Sequence, residues 1–437
     1  MLPVSGGWHN WARTVSSTPV LTIAPRSTEQ IVLAVQRAIE TGHPVKPIGA
    51  SHSFTGVGAT DGIRIDMSRM RGLVSADLEQ GRVTLWGGTH LWELPAILTP
   101  LGLALHNMGD IDRQTITGAT QTGTHGTGSR LGGLSTSIVG ATFVSGTGEL
   151  ITVNADENAE LLPAIALGLG SLGVIVTVTI QCVPRYLLRA EEGTDRLATV
   201  LDSFVERSRA ADHFEFFWFP HTRSVRTKTN TRLPLHVGAE PLGRTSRFLD
   251  EEVANNVAFG ACAATGSVIP AFTPAINRII ESVSSTRSYS DESHRVYVTH
   301  RRVRFREMEY GVPLEAVPDV MRELGKLIQR RKYRVSFPIE VRSAAADALL
   351  LSTAHGRESG YIAVHRYIRD RDQHYFREAE AILAAHDGRP HWGKMHTQTA
   401  DSLRSRYPEF DRFTAIRGRL DPERIFTNPY LERVLGE

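Results

Sequence analysis

Gly49-Ala50-Ser51-His52-Ser53-Phe54 is the most informative segment of the chain, because it places one imidazole inside a loop of small and hydroxyl residues. The apolar residues Val45 and Ile48 come just before it and predict a short strand that leads into the loop. Small residues let backbone amides approach a phosphate or a flat ring closely, and serine hydroxyls add donors. The segment therefore predicts a loop that holds a large anionic cofactor.

A second loop of the same kind runs from Gly118 to Gly128 and reads Gly-Ala-Thr-Gln-Thr-Gly-Thr-His-Gly-Thr-Gly. Hydroxyl groups alternate with glycines, and the segment contains no charged residue. A dinucleotide carries two phosphates, and two such loops would be needed to hold both of them. Either loop alone is equally compatible with an ordinary turn before a strand, so the prediction depends on the pair.

Composition places the chain among ordinary globular proteins. It has 437 residues, of which 41% are apolar and 22% charged, and its formal net charge is +2. This length allows two domains with substantial cores. The sequence has no polybasic run of the kind that binds along a nucleic-acid backbone, which argues against nucleic acid as a partner. Cys182 and Cys262 show no metal-ligand spacing, so we expect no metal site and two free thiols. The first residues show no secretory signal, so we expect a cytoplasmic protein.

Residues 161–184 carry no charge and approach the length of a membrane span. Pro163 and three glycines interrupt the segment before it becomes β-branched at 174–180, which predicts a buried helix, a turn and a strand, with no membrane span. The turn, 168–173, spells Gly-x-Gly-x-x-Gly. A dinucleotide fingerprint follows a strand and opens a helix. Here the order is reversed, so we expect a tight turn that brings backbone near another ligand.

Periodicity predicts a helix over 28–41, strands over 44–48, 63–67 and 83–88, and a helix over 91–98. After about residue 180 the composition shifts to Arg-rich and aromatic segments, which predict strands over 214–219, 295–305 and 334–342 and a helix over 314–332. This shift of composition places a domain boundary near Pro184.

Arg389-Pro390-His391-Trp392-Gly393-Lys394 is the third informative motif. Taken with Gly-x-x-His-Ser-Phe and Thr-Gly-Thr-His-Gly-Thr-Gly, in this order, it resembles the sugar-oxidising branch of the vanillyl-alcohol-oxidase-type FAD flavoproteins. That branch holds the L-gulono-1,4-lactone and D-arabinono-1,4-lactone oxidases and dehydrogenases and the related alditol oxidases. Segments 212–217, 337–342 and 361–365 resemble the gulonolactone dehydrogenase group in particular.

The resemblance implies an α+β fold: a two-domain vanillyl-alcohol-oxidase (PCMH-type) FAD-binding fold with an α+β substrate cap. The FAD-binding domain would comprise 1–183 and 388–437, and the cap 184–387. The implied reaction is hydride transfer from a CH–OH group of a sugar lactone to flavin N5, with O₂ or another electron acceptor reoxidising the flavin. A polyol substrate and a flavin-binding protein without turnover are the alternatives.

The resemblance also assigns roles. His52 resembles the histidine that carries FAD covalently, although a lone loop histidine is usually bonded only to its neighbours. Glu340 and Arg342 are two residues apart, so a strand presents both on one face. This pair fits a surface ion-pair strip, but the resemblance implies that it lies over the flavin and binds substrate hydroxyls. Lys394, otherwise an exposed loop lysine, would support negative charge at flavin N1.

The residues expected to bind the cofactor are Ile48, Gly49, Ala50, Ser51, His52, Ser53, Phe54, Asp110, Thr115, Gly118, Thr122, Gly123, Thr124, His125, Ile175 and His391. Those expected to bind substrate are Asp110, Glu340, Arg342, His365, Tyr367 and Lys394. Asp110 stands where the alditol oxidases carry serine, which weakens the polyol alternative. Gly109 corresponds to a position that gates oxygen access in the family. Its small size permits an oxidase, and dehydrogenases share a similar segment, so the acceptor stays open.

Overall fold

The computed structural model describes residues 6–248, 252, 256–282, 286–299, 301–370 and 374–437. Helices and sheets are mixed throughout. The α-helices span Thr28–Thr41, Leu94–Leu98, Ile116–Thr120, Leu162–Ile165, Leu197–Ala210, Arg244–Phe248, Phe259–Val268, Thr273–Ser282, Ser293–Tyr297, Val317–Arg331, His374–Ala385, Ala400–Arg404, Phe410–Leu420 and Pro429–Leu435.

A small parallel sheet carries the first cofactor loop. Its strands lie in the order Leu21–Ile23, Ile63–Asp66, Val45–Ile48. The helix Thr28–Thr41 buries Ile31, Ala34, Val35 and Ala38 in the same core as these strands. It ends at Gly42, whose φ of 65° is the left-handed conformation that glycine adopts without strain. The predicted helix and the strand after it are confirmed.

A five-stranded antiparallel sheet lies beside it. Its order is Leu150–Val153, Ile138–Ser145, Gly173–Gln181, Arg82–Trp86, Leu73–Asp77. Two short pairs join Trp8–His9 to Ser16–Ser17 and Leu103–Ala104 to Val183–Pro184. The uncharged stretch after residue 161 folds as the helix Leu162–Ile165, a turn and the buried strand Gly173–Gln181, as predicted. Among the described residues no helix is long and apolar enough to cross a membrane.

The third sheet is large and antiparallel. Its order is Arg287–Glu292, Leu187–Arg196, Ser224–Leu233, His213–Trp218, Ile339–Ala344, Ser359–Tyr367, Phe305–Pro313, Arg389–Pro390. The strand predicted over 295–305 is wrong: residues 293–297 form a helix, and the strand begins only at Phe305. The strand predicted over 334–342 is shorter and begins at Ile339. The domain boundaries at 183/184 and 387/388 stay predictions.

Candidate active site

Three loops of the first two sheets line a cleft of about 860 Å³. Residues 46–53 leave the end of the parallel strand, residues 114–122 contain the one-turn helix Ile116–Thr120 with Thr115 as its N-cap, and residues 169–175 form the turn before a strand. The Gly-x-Gly-x-x-Gly turn thus brings backbone to the cleft, as its reversed order predicted. Leu169 and Gly170 both have positive φ there, at 59° and 58°.

The cleft has the properties of an anion cradle. The backbone N–H groups of Ala50, Ser51, His52 and Ser53 donate to no acceptor within the described part of the chain. Backbone donors left unpaired in a protein need another partner. A Cβ on Gly49 would collide with the hydroxyl of Thr115, so the two loops touch. Together they offer the amides that a pyrophosphate requires, which fits FAD.

Lys46 is the cationic side chain of this cleft. It is buried, and its Nζ donates to the carbonyl of Gly170 at 2.8 Å. Burial lowers the pKa of Lys46 to about 7. Sequence patterns did not indicate a role for Lys46, which appears there only as a charge inside a short apolar strand. No arginine lines the cleft among the described residues, in agreement with a cofactor held by backbone amides.

His52 lies where this cleft meets a second cavity of about 1,110 Å³, and it lines both. Its ring stacks on Trp11, with centroids 5.9 Å apart. Burial, with smaller contributions from His90, Arg113 and Lys394, lowers the pKa of His52 to about 4. The imidazole is therefore neutral at neutral pH.

One face of the large sheet forms the floor of the second cavity. Glu340 and Arg342 project from the strand Ile339–Ala344, and both are buried. Their side chains form an ion pair, and Arg342 Nε also donates to Glu215 Oε2 at 2.8 Å. Across the sheet, Ala363 lies opposite both Glu340 and Glu309. This small residue leaves open space between the two carboxylates.

Asp110 closes the network from the loop after the second strand pair. Its carboxylate pairs with Arg301 at 2.5 Å and lies 3.6 Å from Arg342. Burial alone would raise the pKa of Asp110, but the two guanidinium groups outweigh it and hold the pKa well below its usual range. Burial raises the pKa of Glu340, and the attraction of Arg342 opposes this rise without cancelling it. Glu340 therefore takes up a proton more readily than Asp110.

Lys394 meets two carboxylates of the strand Phe305–Pro313. It forms an ion pair with Glu307, and its Nζ lies 4.0 Å from Glu309. Burial would lower the pKa of Lys394, but the two carboxylates outweigh it and raise the pKa. Burial likewise opposes charge on Glu307, whose pKa is nevertheless held below its usual range by Lys394 and His365. Lys394 remains a cation at neutral pH.

His125 and His391 complete this corner. His125 Nε2 lies 3.1 Å from Glu309, and its ring stacks on Tyr361 at 3.6 Å between centroids. His391 Nδ1 accepts from the backbone N–H of Gly393 at 3.0 Å. Burial opposes charge on Glu309, but His125 outweighs it and lowers the pKa to about 2. Among the described residues His125, Glu309 and His391 are near enough to hold a cation, with ligand atoms within 4.8 Å of one another.

The structure brings nearly all of the predicted site residues to the two cavities. Asp110, Glu340, Arg342, His365 and Lys394 line the second cavity together with Phe54, Thr124, His125 and His391. Ile48, Gly49, Ala50, Ser51, Thr115, Gly118 and Ile175 line the first, and His52, Ser53 and Thr122 line both.

Two predicted residues lie elsewhere. Gly123 is absent from both linings and makes a turn with φ of 77°. Tyr367 is two residues beyond His365, but the strand ends there, and its ring stacks on Phe337 and lines a different cleft.

Sequence reasoning missed five charged residues of the cavity, namely Asp112, Arg113, Arg301, Glu307 and Glu309. Glu307 and Glu309 alternate on one strand, a period-2 signal of the same kind as Glu340 and Arg342. Arg301 lies in the segment 295–305, which its composition predicts to be a strand, and no spacing pattern there indicates a site residue. Glu215 lies in a quoted motif but received no role.

Two family profiles match the chain. The family described as D-arabinono-1,4-lactone oxidase matches residues 178–434. The family described as FAD binding domain matches residues 19–154. The L-gulono-1,4-lactone dehydrogenase of Mycobacterium tuberculosis is 40% identical over 429 residues, covering 98% of this chain and 99% of that protein. The L-gulonolactone oxidase of Bos taurus is 31% identical over 434 residues, covering 98% of each.

Solved structures with the same architecture include cholesterol oxidases. A solvent-stable cholesterol oxidase superposes with a TM-score of 0.83 at 19% identity, covering 99% of this chain and 98% of that one. The cholesterol oxidase from B. sterolicum superposes with a TM-score of 0.82 at 16% identity, covering 99% and 97%. This likeness shows a shared fold, and with the FAD-binding match it confirms the predicted fold class.

Proposed function

The chain belongs to the D-arabinono-1,4-lactone oxidase family, and from that premise we propose that it is an FAD-dependent oxidoreductase that oxidises a CH–OH group of an aldonolactone such as L-gulono-1,4-lactone or D-arabinono-1,4-lactone. The observation that carries this proposal is the buried network of Asp110, Arg342 and Glu340 on the cavity floor. Carboxylates and a guanidinium offer acceptors and donors to a polyhydroxylated, uncharged ligand.

The same network argues against a sterol, the substrate that the names of the structural neighbours suggest for those proteins. A sterol pocket is lined mainly by apolar side chains. Here five carboxylates and four cationic side chains line the cavity. The carboxylates belong to Asp110, Asp112, Glu307, Glu309 and Glu340, and the cations to Arg113, Arg301, Arg342 and Lys394. The likeness to cholesterol oxidases thus extends to the fold, and we propose a different substrate class.

Bound FAD supplies the acceptor for a hydride from the substrate carbon. In the proposed reaction, Glu340 takes the hydroxyl proton on its carboxylate as the electron pair of the O–H bond forms the carbonyl. Arg342 donates to the same oxygen and stabilises the negative charge that develops there. Oxidation at C2 of an aldonolactone gives a 2-keto lactone, which enolises to an ascorbate-type product.

Lys394 acts on the other side of the transfer. Glu307 and Glu309 stabilise its positive charge, so Lys394 remains protonated while negative charge accumulates on the cofactor. A cation about 4 Å from a developing anion is worth roughly 4 kcal/mol at an effective dielectric near 20. Because Lys394 is itself paired with Glu307, its effect at the cofactor is smaller than for an unpaired cation.

We further propose that His52 forms the covalent bond to the FAD 8α carbon. Its position at the meeting of both cavities supports this role, since a cofactor that reached from the first cavity into the second would pass this side chain. Its lowered pKa, near 4, leaves a lone pair on the imidazole for bond formation. A cytoplasmic location is part of the same proposal, and both described cysteines are free thiols.

The test is anaerobic bleaching of the yellow protein by a panel of L-gulono-1,4-lactone, D-arabinono-1,4-lactone, xylitol and sorbitol, followed by admission of air. We expect a lactone to bleach the flavin at the lowest concentration. The relatives do not favour an alditol oxidase. Bleaching by polyols alone would establish that alternative, and a flavin that no member of the panel reduces would indicate a binding protein without turnover. Rapid return of the yellow colour in air would identify an oxidase.

A further inference from the structure

A further cleft, separate from the two cavities described above, lies beside the candidate active site. It is open to solvent and has a volume of about 1,840 Å³. Five arginines line it: Arg13, Arg302, Arg304, Arg306 and Arg369. One carboxylate of the described lining, Glu252, pairs with Arg302 at 3.0 Å. Within the described ranges no carboxylate lies within 4.0 Å of the guanidinium groups of the other four. The described lining of the cleft is therefore strongly cationic, and nothing in the proposed function uses it.

The arginines come from three separate elements. Arg304 and Arg306 stand at the start of the strand Phe305–Pro313, and Arg369 follows the end of its neighbour. Arg306 donates to the carbonyl of Ile368 at 3.0 Å, which fixes its position. Convergence of like charges without carboxylate partners raises the free energy of the empty cleft, and an anion would relieve it.

Arg13 reaches the cleft from a turn that is anchored to the cofactor loop. Its φ of 55° is left-handed, a conformation that is strained for arginine. Buried Asn10 holds the turn: its side chain donates to the carbonyl of Ser53 at 3.0 Å and accepts from the backbone of Thr14 at 2.8 Å. The neighbouring Trp11 donates its backbone N–H to Ser51 at 2.7 Å. The turn therefore fixes the backbone of Arg13 relative to the loop that carries His52.

One layer of apolar side chains separates the cleft from the candidate active site. Phe54, Phe305 and Trp11 line the active-site cavity, while Ala12 and Met395 line the cleft, and all belong to one packed cluster. Trp11 and Phe305 contact edge to face with centroids 5.5 Å apart. An acceptor in the cleft is thus one aromatic ring away from the cavity that contains His52.

We propose that this arginine cleft, which we call the Arg cleft, docks an anionic quinone-type electron acceptor that reoxidises the flavin. The inference rests on the proposed flavin-dependent function. The substrate cavity itself is unsuited to an anion because its carboxylates outnumber its cations. Reoxidation balances as follows: the reduced anionic flavin releases two electrons and one proton, and the quinone takes up the two electrons and two protons to become a hydroquinone, with the second proton coming from water.

The test compares 1,2-naphthoquinone-4-sulfonate with neutral 1,2-naphthoquinone, which have the same two-electron ring. The flavin is reduced with dithionite, so no step depends on the sugar substrate, and its reoxidation is followed by stopped flow. Arg304→Gln and Arg369→Gln should each weaken the apparent affinity for the sulfonate about threefold, and together about tenfold, since exposed charge pairs contribute modestly. The neutral quinone should be unaffected, and added salt should reduce the difference.

Exposed Arg37 on the helix Thr28–Thr41 provides the matched control, because Arg37→Gln makes the same change of charge away from the cleft. Binding of redox-inert naphthalene-1-sulfonate, measured by calorimetry on the oxidised protein, should weaken in the same variants. Equal loss for both quinones, equal loss in Arg37→Gln, or unchanged sulfonate affinity in the double variant would each overturn the proposal. Failure of lactones to reduce the flavin would instead overturn the proposed function and leave this test intact.

Discussion

Lys394→Met is expected to have two separable effects, one on stability and one on flavin reduction. The substitution keeps most of the stem length and deletes a charge that pairs with Glu307 and lies 4.0 Å from Glu309. Glu307 is buried and Lys394 is half-buried, so breaking their pair from one side leaves a buried carboxylate without its cation, which costs up to about 3–5 kcal/mol of unfolding free energy. Loss of the cation beside the reduced cofactor should also slow flavin reduction by about 10²–10³-fold.

The second substitution Glu307→Gln separates these effects. In the double variant both charges of the pair are gone, so most of the lost stability should return, and the two substitutions should be strongly non-additive. Flavin reduction should stay slow, because the cation is still missing. Unfolding in urea measures the first effect, and anaerobic stopped-flow bleaching by lactone measures the second. Sulfite binding to the flavin, which requires a cation near N1, should weaken in both variants that lack Lys394.

Exposed Lys326 on the helix Val317–Arg331 supplies the control, since Lys326→Met removes a lysine charge from the surface. A double variant that bleaches at the wild-type rate would refute an electrostatic role for Lys394. The lysine would then serve only to neutralise Glu307 and Glu309.

Three further outcomes are expected. His52→Ala should release the flavin into the supernatant on acid precipitation while the fold persists, and flavin that remains on the denatured chain would place the bond elsewhere. Glu340→Gln should slow flavin reduction by about 10²–10⁴-fold and should cost less stability than Lys394→Met, because Arg342 keeps Glu215 and Asp110 as partners. Because burial raises the pKa of Glu340, the wild-type reduction rate should fall, as the pH falls, at a higher pH than an ordinary glutamate would give, and the Gln variant should lack this limb. Gly49→Ala should lower FAD content as measured by the ratio of absorbance at 450 to 280 nm, since the added Cβ collides with Thr115, and a fully loaded variant would contradict the cradle.

Local patterns predicted the parts of the site that depend on neighbouring residues. The loop at Gly49, the paired residues Glu340 and Arg342 on one strand, and the reversed order around Gly168 all follow from small-residue chemistry or from strand periodicity. The resemblance then supplied what spacing cannot, namely that Lys394 returns to the same cavity.

The missed parts depend on tertiary contacts. Arg301 acts through Asp110, which is 191 positions earlier, and no local pattern links them. The Arg-rich segment before Phe305 has the composition of a strand but folds as a helix and a loop, because tertiary packing overrides such weak preferences. Tyr367 was placed in the site by alternation with His365, yet the strand ends at Tyr367 and the chain turns away.

Contacts between distant parts of the chain also determine when the cofactor can be loaded. The side chain of Asn428 donates to the carbonyls of Gly56, Val57 and Ala59, just beyond the cofactor loop. Phe54 donates its backbone N–H to Gly393 at 2.7 Å. Residues 54–59 therefore gain these partners only after Gly393 and Asn428 have been synthesised. The growing polypeptide must emerge past Asn428 before these contacts can form, so we expect FAD to bind stably only after that segment has been synthesised.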